Sequence, residues 1–195
     1  SLMSGIMHEI GEKDLAVTLA REALKVNQQK IDLAPDVLIH TYNLAVALSN
    51  LATLLDSDPY YQTSTYIREK RDVGKRGYVI ARQLMESNPS NTDYKVFFIV
   101  ASSNYCCTFP ASDVQMQTST VIPIYVKALK LLDELSASNS DILFYSARYG
   151  ALLPNLATAY KNIGQPKEAI QCYLRATEIS RRLVKAYPDL PEHKY

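Results

Sequence analysis

The chain has 195 residues, of which 47% are hydrophobic and 21% charged, the proportions of a folded protein with a sizeable core. Its 21 Lys and Arg nearly balance its 20 Asp and Glu, so the formal charge of +1 creates no overall field that would draw it onto nucleic acid or an anionic membrane. Six glycines, nine prolines and no tryptophan favour a helix-rich protein over one of short strands and tight turns.

The cysteines and the two ends of the chain predict the cellular compartment of the protein and the extent of its repeat domain. Cys106, Cys107 and Cys172 form no disulfide framework, which favours a reducing, cytoplasmic compartment. There is no signal-peptide pattern, and no uninterrupted apolar run approaches the roughly twenty residues that span a bilayer. We therefore expect no membrane contact. The repeat pattern described below runs up to both ends, so we expect residues 1–195 to be a single repeat domain from a longer protein.

In the first half of the chain, apolar spacing predicts two helix pairs. The first is a truncated helix ending near Gly11, followed by a helix over 12–33 with the stripe Leu15, Leu19, Ala23 and Val26. The second pair covers 36–55 and 62–87, with a turn at 56–59 and extra residues between its helices around 56–65.

In the second half, the same spacing predicts two further pairs, over 92–109 with 119–136, and over 141–163 with 166–187. The polar stretch 110–118 is predicted to be a loop, with Ser119 or Thr120 capping a helix that holds Pro123 in its first turn. Gly164 is predicted to end a helix in the left-handed conformation and Pro166 to start the next, while Pro154 predicts a kink or break near 150–154.

The chain also resembles itself. The stretch 10–36 returns as 163–189, a displacement of 153 positions, with matches at helical spacing. Three triplets recur at a period of about fifty residues, near the upper end for helical repeats: Asn50-Leu51-Ala52, Asn104-Tyr105-Cys106 and Asn155-Leu156-Ala157. The predicted units are 1–35, 36–89, 90–139 and 140–188, with a further unit starting at 189–195. Tandem helical units pack against their neighbours and leave a long surface for a partner.

One segment is similar to a known family. The residues that carry the resemblance follow the spacing of the tetratricopeptide repeat signature, in which small and large residues interlock two helices: Leu153, Leu156, Ala157, Tyr160, Gly164, Ala169, Tyr173 and Ala176. Arg181 stands where the short form of the repeat has its terminal proline. The chain therefore resembles the longer variants of kinesin light chains and bacterial signalling proteins.

The resemblance implies an all-α, right-handed superhelix of about four antiparallel helix pairs that serves as a non-catalytic protein-interaction scaffold. In related proteins, asparagines on the first helix of each pair line a concave groove that binds a peptide or helix of the partner. This role is carried over to Asn50, Asn104 and Asn155; the alternative is that they only fix helix packing. Neighbours expected to join the groove are Ser49, Thr53, Ser103, Thr158, Lys161 and Asn162.

Two other functions remain open. Arg68, Arg71 and Lys75 share one side of a predicted helix and form a basic face that could meet phosphates of a nucleic acid. Glu69 and Asp72 interrupt it, so a solvated helix face is the favoured interpretation. The segment could instead be a structural spacer or self-association module that stacks on further repeats.

The sequence carries no signature of an enzyme, a cofactor or a metal site, and no small-molecule substrate is expected. His8, His40 and His193 share no ligand spacing with cysteines or carboxylates. Cys106 and Cys107 are interpreted as small buried residues rather than nucleophiles, because a nucleophile needs a neighbouring base.

Overall fold

The computed structural model describes residues 2–56, 64–138 and 141–188. Every regular element in these ranges is a helix, which confirms the predicted all-α class. The elements are α1 (Leu2–Leu33), α2 (Leu38–Asp56), α3 (Ser64–Ser87), α4 (Thr92–Cys106), α5 (Val114–Met116), a π-helical segment (Gln117–Val121), α6 (Ile122–Ser138), α7 (Ile142–Asn162) and α8 (Pro166–Ala186).

The chain divides into two compact units, 1–94 and 95–195. The single domain and the right-handed superhelix stay predictions. Of the turn predicted at 56–59, only residue 56 is among the described residues. The further unit predicted at 189–195 lies entirely outside them.

In the first unit, α2 packs against both α1 and α3. The core combines leucines of α2 with Val17 of α1 and Val73 of α3, and the partly buried Ala20, Leu24 and Ile31 of α1 pack against it. The α2 leucines in this core are Leu44, Leu48, Leu51 and Leu55. By length and composition 38–55 could also cross a membrane. Here, four of its leucines form the centre of a helical unit.

Two predictions about α1 are wrong. The helix runs without interruption from Leu2 to Leu33, so there is no break near Gly11. The stripe that predicted the helix is also not its packing side, because Leu15 and Leu19 are 58% and 59% exposed while Val17 is 2% exposed. Apolar residues lie on two sides of this helix, and helical periodicity alone does not tell which side is buried.

In the second unit, α4, α6 and α7 supply the most deeply buried side chains. They include Phe98, Ile99, Leu132, Leu152 and Leu153. The two helices flanking Gly164 form a hairpin as predicted. Gly164 has φ +74°, and its N–H and that of Gln165 donate to the carbonyls of Lys161 and Tyr160 at 3.1 and 2.9 Å. These two hydrogen bonds form a Schellman motif, which ends α7, and Pro166 begins α8.

The helical stretch after α4 begins earlier than predicted. Its start is Val114, and the cap is Asp113, whose carboxylate accepts a hydrogen bond from the N–H of Met116 at 3.0 Å. The predicted loop over 110–118 is therefore right only for 110–113, and the predicted cap at Ser119 or Thr120 is wrong. Pro123 is the second residue of α6, in its first turn as predicted, and the π-helical segment ends two residues before it. It has no N–H to donate to the carbonyl four residues earlier.

The other two predicted boundaries near prolines also shift. α4 ends at Cys106 instead of Phe109. α7 continues through Pro154 without a break, so the predicted break is wrong, while a bend there stays a prediction. The hydroxyl of Thr158 donates to the Pro154 carbonyl at 2.9 Å.

Candidate functional site

One side of α7 presents a row of residues at helical spacing. Positions 148, 151, 155, 158 and 162 follow one another at steps of three and four, which places them along a single helix side about 21 Å long. These residues line two neighbouring clefts that α7 shares with α4, all within the second unit. Two of the three asparagines of the recurring triplets line them, Asn104 in one cleft and Asn155 in the other.

The Asn155 cleft lies at the C-terminal half of α7 and has a volume of about 120 Å³. The side-chain N–H of Asn155 points to Sγ of Cys107 at 3.7 Å, a weak hydrogen bond. The π-helical segment and α6 close its other wall. The lining residues are Cys106, Cys107, Phe109, Ala111, Gln117, Val121, Tyr125, Asn155, Thr158, Ala159 and Asn162.

The Arg148 cleft lies one turn further toward the start of α7 and has a volume of about 210 Å³. Its α4 wall carries the predicted Ser103 and Asn104 together with two apolar residues. Its α7 wall carries Arg148, whose guanidinium stacks over the ring of Phe144 with 4.1 Å between the guanidinium carbon and the ring centroid. The lining residues are Ile99, Val100, Ser103, Asn104, Ala147, Arg148, Ala151 and Leu152.

The comparison with known families identifies the helices that carry this row. Residues 154–182, the second half of α7 and most of α8, match the profile of the tetratricopeptide repeat. This segment is a tetratricopeptide repeat. No curated protein and no solved structure matches the chain significantly. Tetratricopeptide repeats generally mediate protein–protein interactions, and the likeness to kinesin-light-chain variants stays a prediction.

Asn155, Thr158 and Asn162 lie in the first helix of the tetratricopeptide repeat, as predicted. Lys161 is exposed in the same helix but does not line either cleft. Sequence reasoning missed Arg148, although it precedes Asn155 by seven positions, two helical turns on the same side. The prediction had followed the α7 side only toward its C-terminus.

The predicted groove residues of the first unit differ from one another in exposure. Asn50 is exposed on α2, and the hydroxyl of Thr53 donates to the carbonyl of Ser49 at 3.1 Å. Ser49 itself is only 5% exposed, and its Oγ lies close to Gly77 of α3. Ser49 therefore packs between two helices, and the prediction that it lines an open groove is wrong.

The three residues of the predicted basic face lie on α3 and differ in exposure. Arg68 and Lys75 are exposed, and Arg71 is half-buried. Glu69, which interrupts this face, forms a bidentate ion pair with Arg21 of α1 at 2.9 and 2.7 Å. That pairing ties α1 to α3, so Glu69 has a structural role within the first unit.

A third cleft lies on the other side of the repeat, between α6, α7 and α8, with a volume of about 430 Å³. Two of its charged groups are satisfied within the protein. Asp133 forms an ion pair with Arg175 and accepts a hydrogen bond from the hydroxyl of Tyr149 at 2.5 Å. Within the part of the chain that the structure describes, no group of His, Cys, Asp and Glu side chains is placed to hold a metal ion.

The two adjacent cysteines have different surroundings. Cys106 is buried and its thiol contacts the carbonyl of Val121 at 3.7 Å, as expected for a small core residue. Cys107 is exposed at the edge of the Asn155 cleft, so its predicted burial is wrong. Burial raises the pKa of the Cys106 thiol above its usual range, and burial also raises the pKa of Cys172.

We expect iodoacetamide to alkylate Cys107 well before Cys106 and Cys172 in the folded protein. The thiolate is the reactive species, and a raised pKa leaves less of it at any pH below that pKa. Mass spectrometry of peptides from a time course at pH 8 measures the three rates. In urea all three rates should converge; equal rates in the folded protein would contradict the placement of these side chains.

Proposed function

We propose that this chain is a non-catalytic scaffold that binds a segment of a partner protein along the side where α4 and α7 line the Arg148 and Asn155 clefts. One observation carries the proposal. Asn104 of α4 and Asn155 of α7, picked out in sequence by the recurring triplets, line adjacent clefts of one unit. The family context of interaction repeats supports the same conclusion.

The chemistry of the two clefts suits an extended peptide. An asparagine amide offers both a donor and an acceptor, which match the N–H and C=O of a peptide backbone. Apolar walls, such as Val100 and Leu152 in one cleft and Val121 in the other, can take alternate side chains of the ligand. At about 3.3 Å per extended residue, the row on α7 accommodates roughly six or seven residues.

The proposal is tested with peptides selected from a display library of random heptapeptides against the intact chain. We expect the N104A/N155A double variant to bind the best selected peptide at least about fivefold more weakly, because each lost hydrogen bond contributes roughly 0.5–1.5 kcal/mol. Fluorescence anisotropy measures the affinities. Thr177→Ala on the exposed side of α8 is the matched control and should change affinity less than twofold.

Circular dichroism must first show that the double variant has the helicity and melting temperature of the unaltered protein. Asn104 and Asn155 are half-buried, so their replacement should leave the fold intact. If the folded double variant binds the selected peptide as tightly as the control does, the asparagines only fix packing and the proposed groove is rejected.

A further inference from the structure

We propose that two copies of this chain associate through α8, whose exposed apolar side packs antiparallel against the same side of α8 in the second copy. The two-fold axis of the pair passes through Thr177, near the middle of the helix. The contact lies on α8 alone and is independent of the proposed groove, which α4 and α7 line.

The first unit shows what the equivalent side of a helix does. In α1, Val17 is 2% exposed and belongs to the core built around α2. Three further α1 residues pack against the same core: Ala20, Leu24 and Ile31. The displacement of 153 positions by which the chain resembles itself carries these four residues onto Ile170, Tyr173, Thr177 and Val184 of α8. These four define the outer side of α8, which repeats the side that α1 packs against a neighbouring helix.

The outer side of α8 is exposed. Ile170, Tyr173 and Val184 are 55%, 45% and 46% exposed, and Thr177 between them is also exposed. α8 packs on α7 with a different side, which includes the buried Ala169 and Cys172. Because apolar surface in contact with water favours association, the outer side is a candidate interface.

The outer side of α8 is complementary to itself when the helix direction is reversed. In two antiparallel helices that cross at Thr177, residues at equal distances before and after it face each other. Ile170 and Val184 both lie seven positions from Thr177, so they form an apolar contact. Tyr173 and the exposed Arg181 both lie four positions from it, which brings a guanidinium to an aromatic ring. Each contact occurs twice, as a two-fold interface requires.

The charges of α8 also fit a second copy. Glu168 lies nine positions before Thr177 and Lys185 eight positions after it, so opposite charges approach each other at both ends of the pair. Both side chains are exposed, and neither forms an ion pair among the described residues. No two like charges of α8 lie at equal distances from Thr177. The charge pattern therefore selects a second copy as the occupant of the outer side.

The contact is small, so the dimer should be weak. α8 has 21 residues and is about 30 Å long. One side of such a helix offers less than the roughly 800 Å² per partner of a standard interface, so we expect a dissociation constant on the order of 10–100 µM.

Sedimentation velocity of the intact chain over a dilution series tests the association. The unaltered chain should pass from dimer to monomer on dilution. I170D/V184D should raise the dissociation constant at least about tenfold, because the contact would bury unpaired carboxylates at both ends. L15D on α1 is the matched control, since Leu15 is 58% exposed, and it should change the constant less than about twofold. Circular dichroism checks that both variants keep the helicity of the unaltered chain.

A cross-link locates the two-fold axis without weakening the contact. Thr177 meets its own copy at the crossing point, so T177C should form an intermolecular disulfide on mild oxidation. The background is C107S, which removes the exposed native thiol. R182C is the control, because the Arg182 side chain is 73% exposed on a different side of α8. Non-reducing electrophoresis should show a dimer for T177C and a monomer for R182C.

Reversal of the two end charges tests their pairing. E168K or K185E alone should raise the dissociation constant about threefold or more, because each introduces two like-charge contacts in place of two weak ion pairs. E168K/K185E restores opposite charges in the symmetric pair and should return the constant to within about twofold of the unaltered chain.

Each other outcome overturns the proposal. A chain that stays monomeric over the whole series rejects association through α8, and so does a dimer that I170D/V184D leaves intact. If L15D weakens association as much as I170D/V184D does, the copies join head to tail through α1 and α8, and the two-fold contact is wrong. If R182C cross-links as readily as T177C, or the double charge reversal binds more weakly than either single one, the antiparallel pairing about Thr177 is rejected.

Discussion

Replacing Phe98 by Ala is expected to lower the free energy of unfolding of the second unit by about 3–5 kcal/mol. Phe98 is 0% exposed on α4, and Lys127 of α6 lies over its ring with its Nζ at 5.4 Å from the centroid. Truncation to Ala removes a large apolar side chain and leaves a cavity beneath a lysine. Because α4 forms one wall of both clefts, this loss should also disturb the candidate site.

Urea denaturation followed by circular dichroism measures this effect, and hydrogen exchange of peptides from 95–188 assigns it to the second unit. Leu174→Ala is the control, since Leu174 is 59% exposed on α8 and its truncation should cost less than about 0.5 kcal/mol. If the two substitutions cost the same, Phe98 does not lie in the core.

Replacing Leu48 by Ala is expected to destabilise the first unit by about 2–5 kcal/mol. Leu48 is 0% exposed in the middle of α2 and belongs to the cluster that joins α1, α2 and α3. On α3, Gly77 faces Leu48: a Cβ added at Gly77 would lie 3.4 Å from the Leu48 Cβ, which is van der Waals contact. The two helices therefore already pack closely at this position.

The matched control for Leu48 is Leu19→Ala on α1. Leu19 belongs to the apolar stripe that predicted this helix, but it is 59% exposed, so its truncation should cost less than about 0.5 kcal/mol. Urea transitions and hydrogen exchange of peptides from 12–56 measure both effects. A large loss for Leu19 would contradict the assigned buried side of α1, and a small loss for Leu48 would contradict its place in the core of the first unit.

This contrast shows what the sequence could and could not predict about the fold. Prolines and glycines at helix ends act through local sterics, so Gly164 and Pro166 predicted their boundary correctly. The orientation of α1 depends on what packs against it, and its two apolar sides could not be ranked from periodicity. Likewise, the sequence predicted a cap at Ser119 or Thr120, whereas the helical stretch begins five residues earlier behind a cap at Asp113.

For the candidate site, the recurring triplets predicted Asn104 and Asn155, which line neighbouring clefts. The clefts themselves depend on contacts between residues far apart in sequence, such as that of Asn155 with Cys107, and no local pattern encodes them. Ser49 was misplaced for the same reason, because its burial results from the approach of α3 at Gly77. Arg148 has no motif of its own, and only the folded structure places it in a cleft with Ser103 and Asn104.

The most direct test of the central claim is a two-dimensional ¹H–¹⁵N NMR spectrum of the labelled chain titrated with the best selected heptapeptide. The account predicts that the largest shifts fall on α4 and α7, including the side-chain NH₂ groups of Asn104 and Asn155. Shifts concentrated on the cleft between α6 and α8, or on Arg68 and Lys75 of α3, would contradict it.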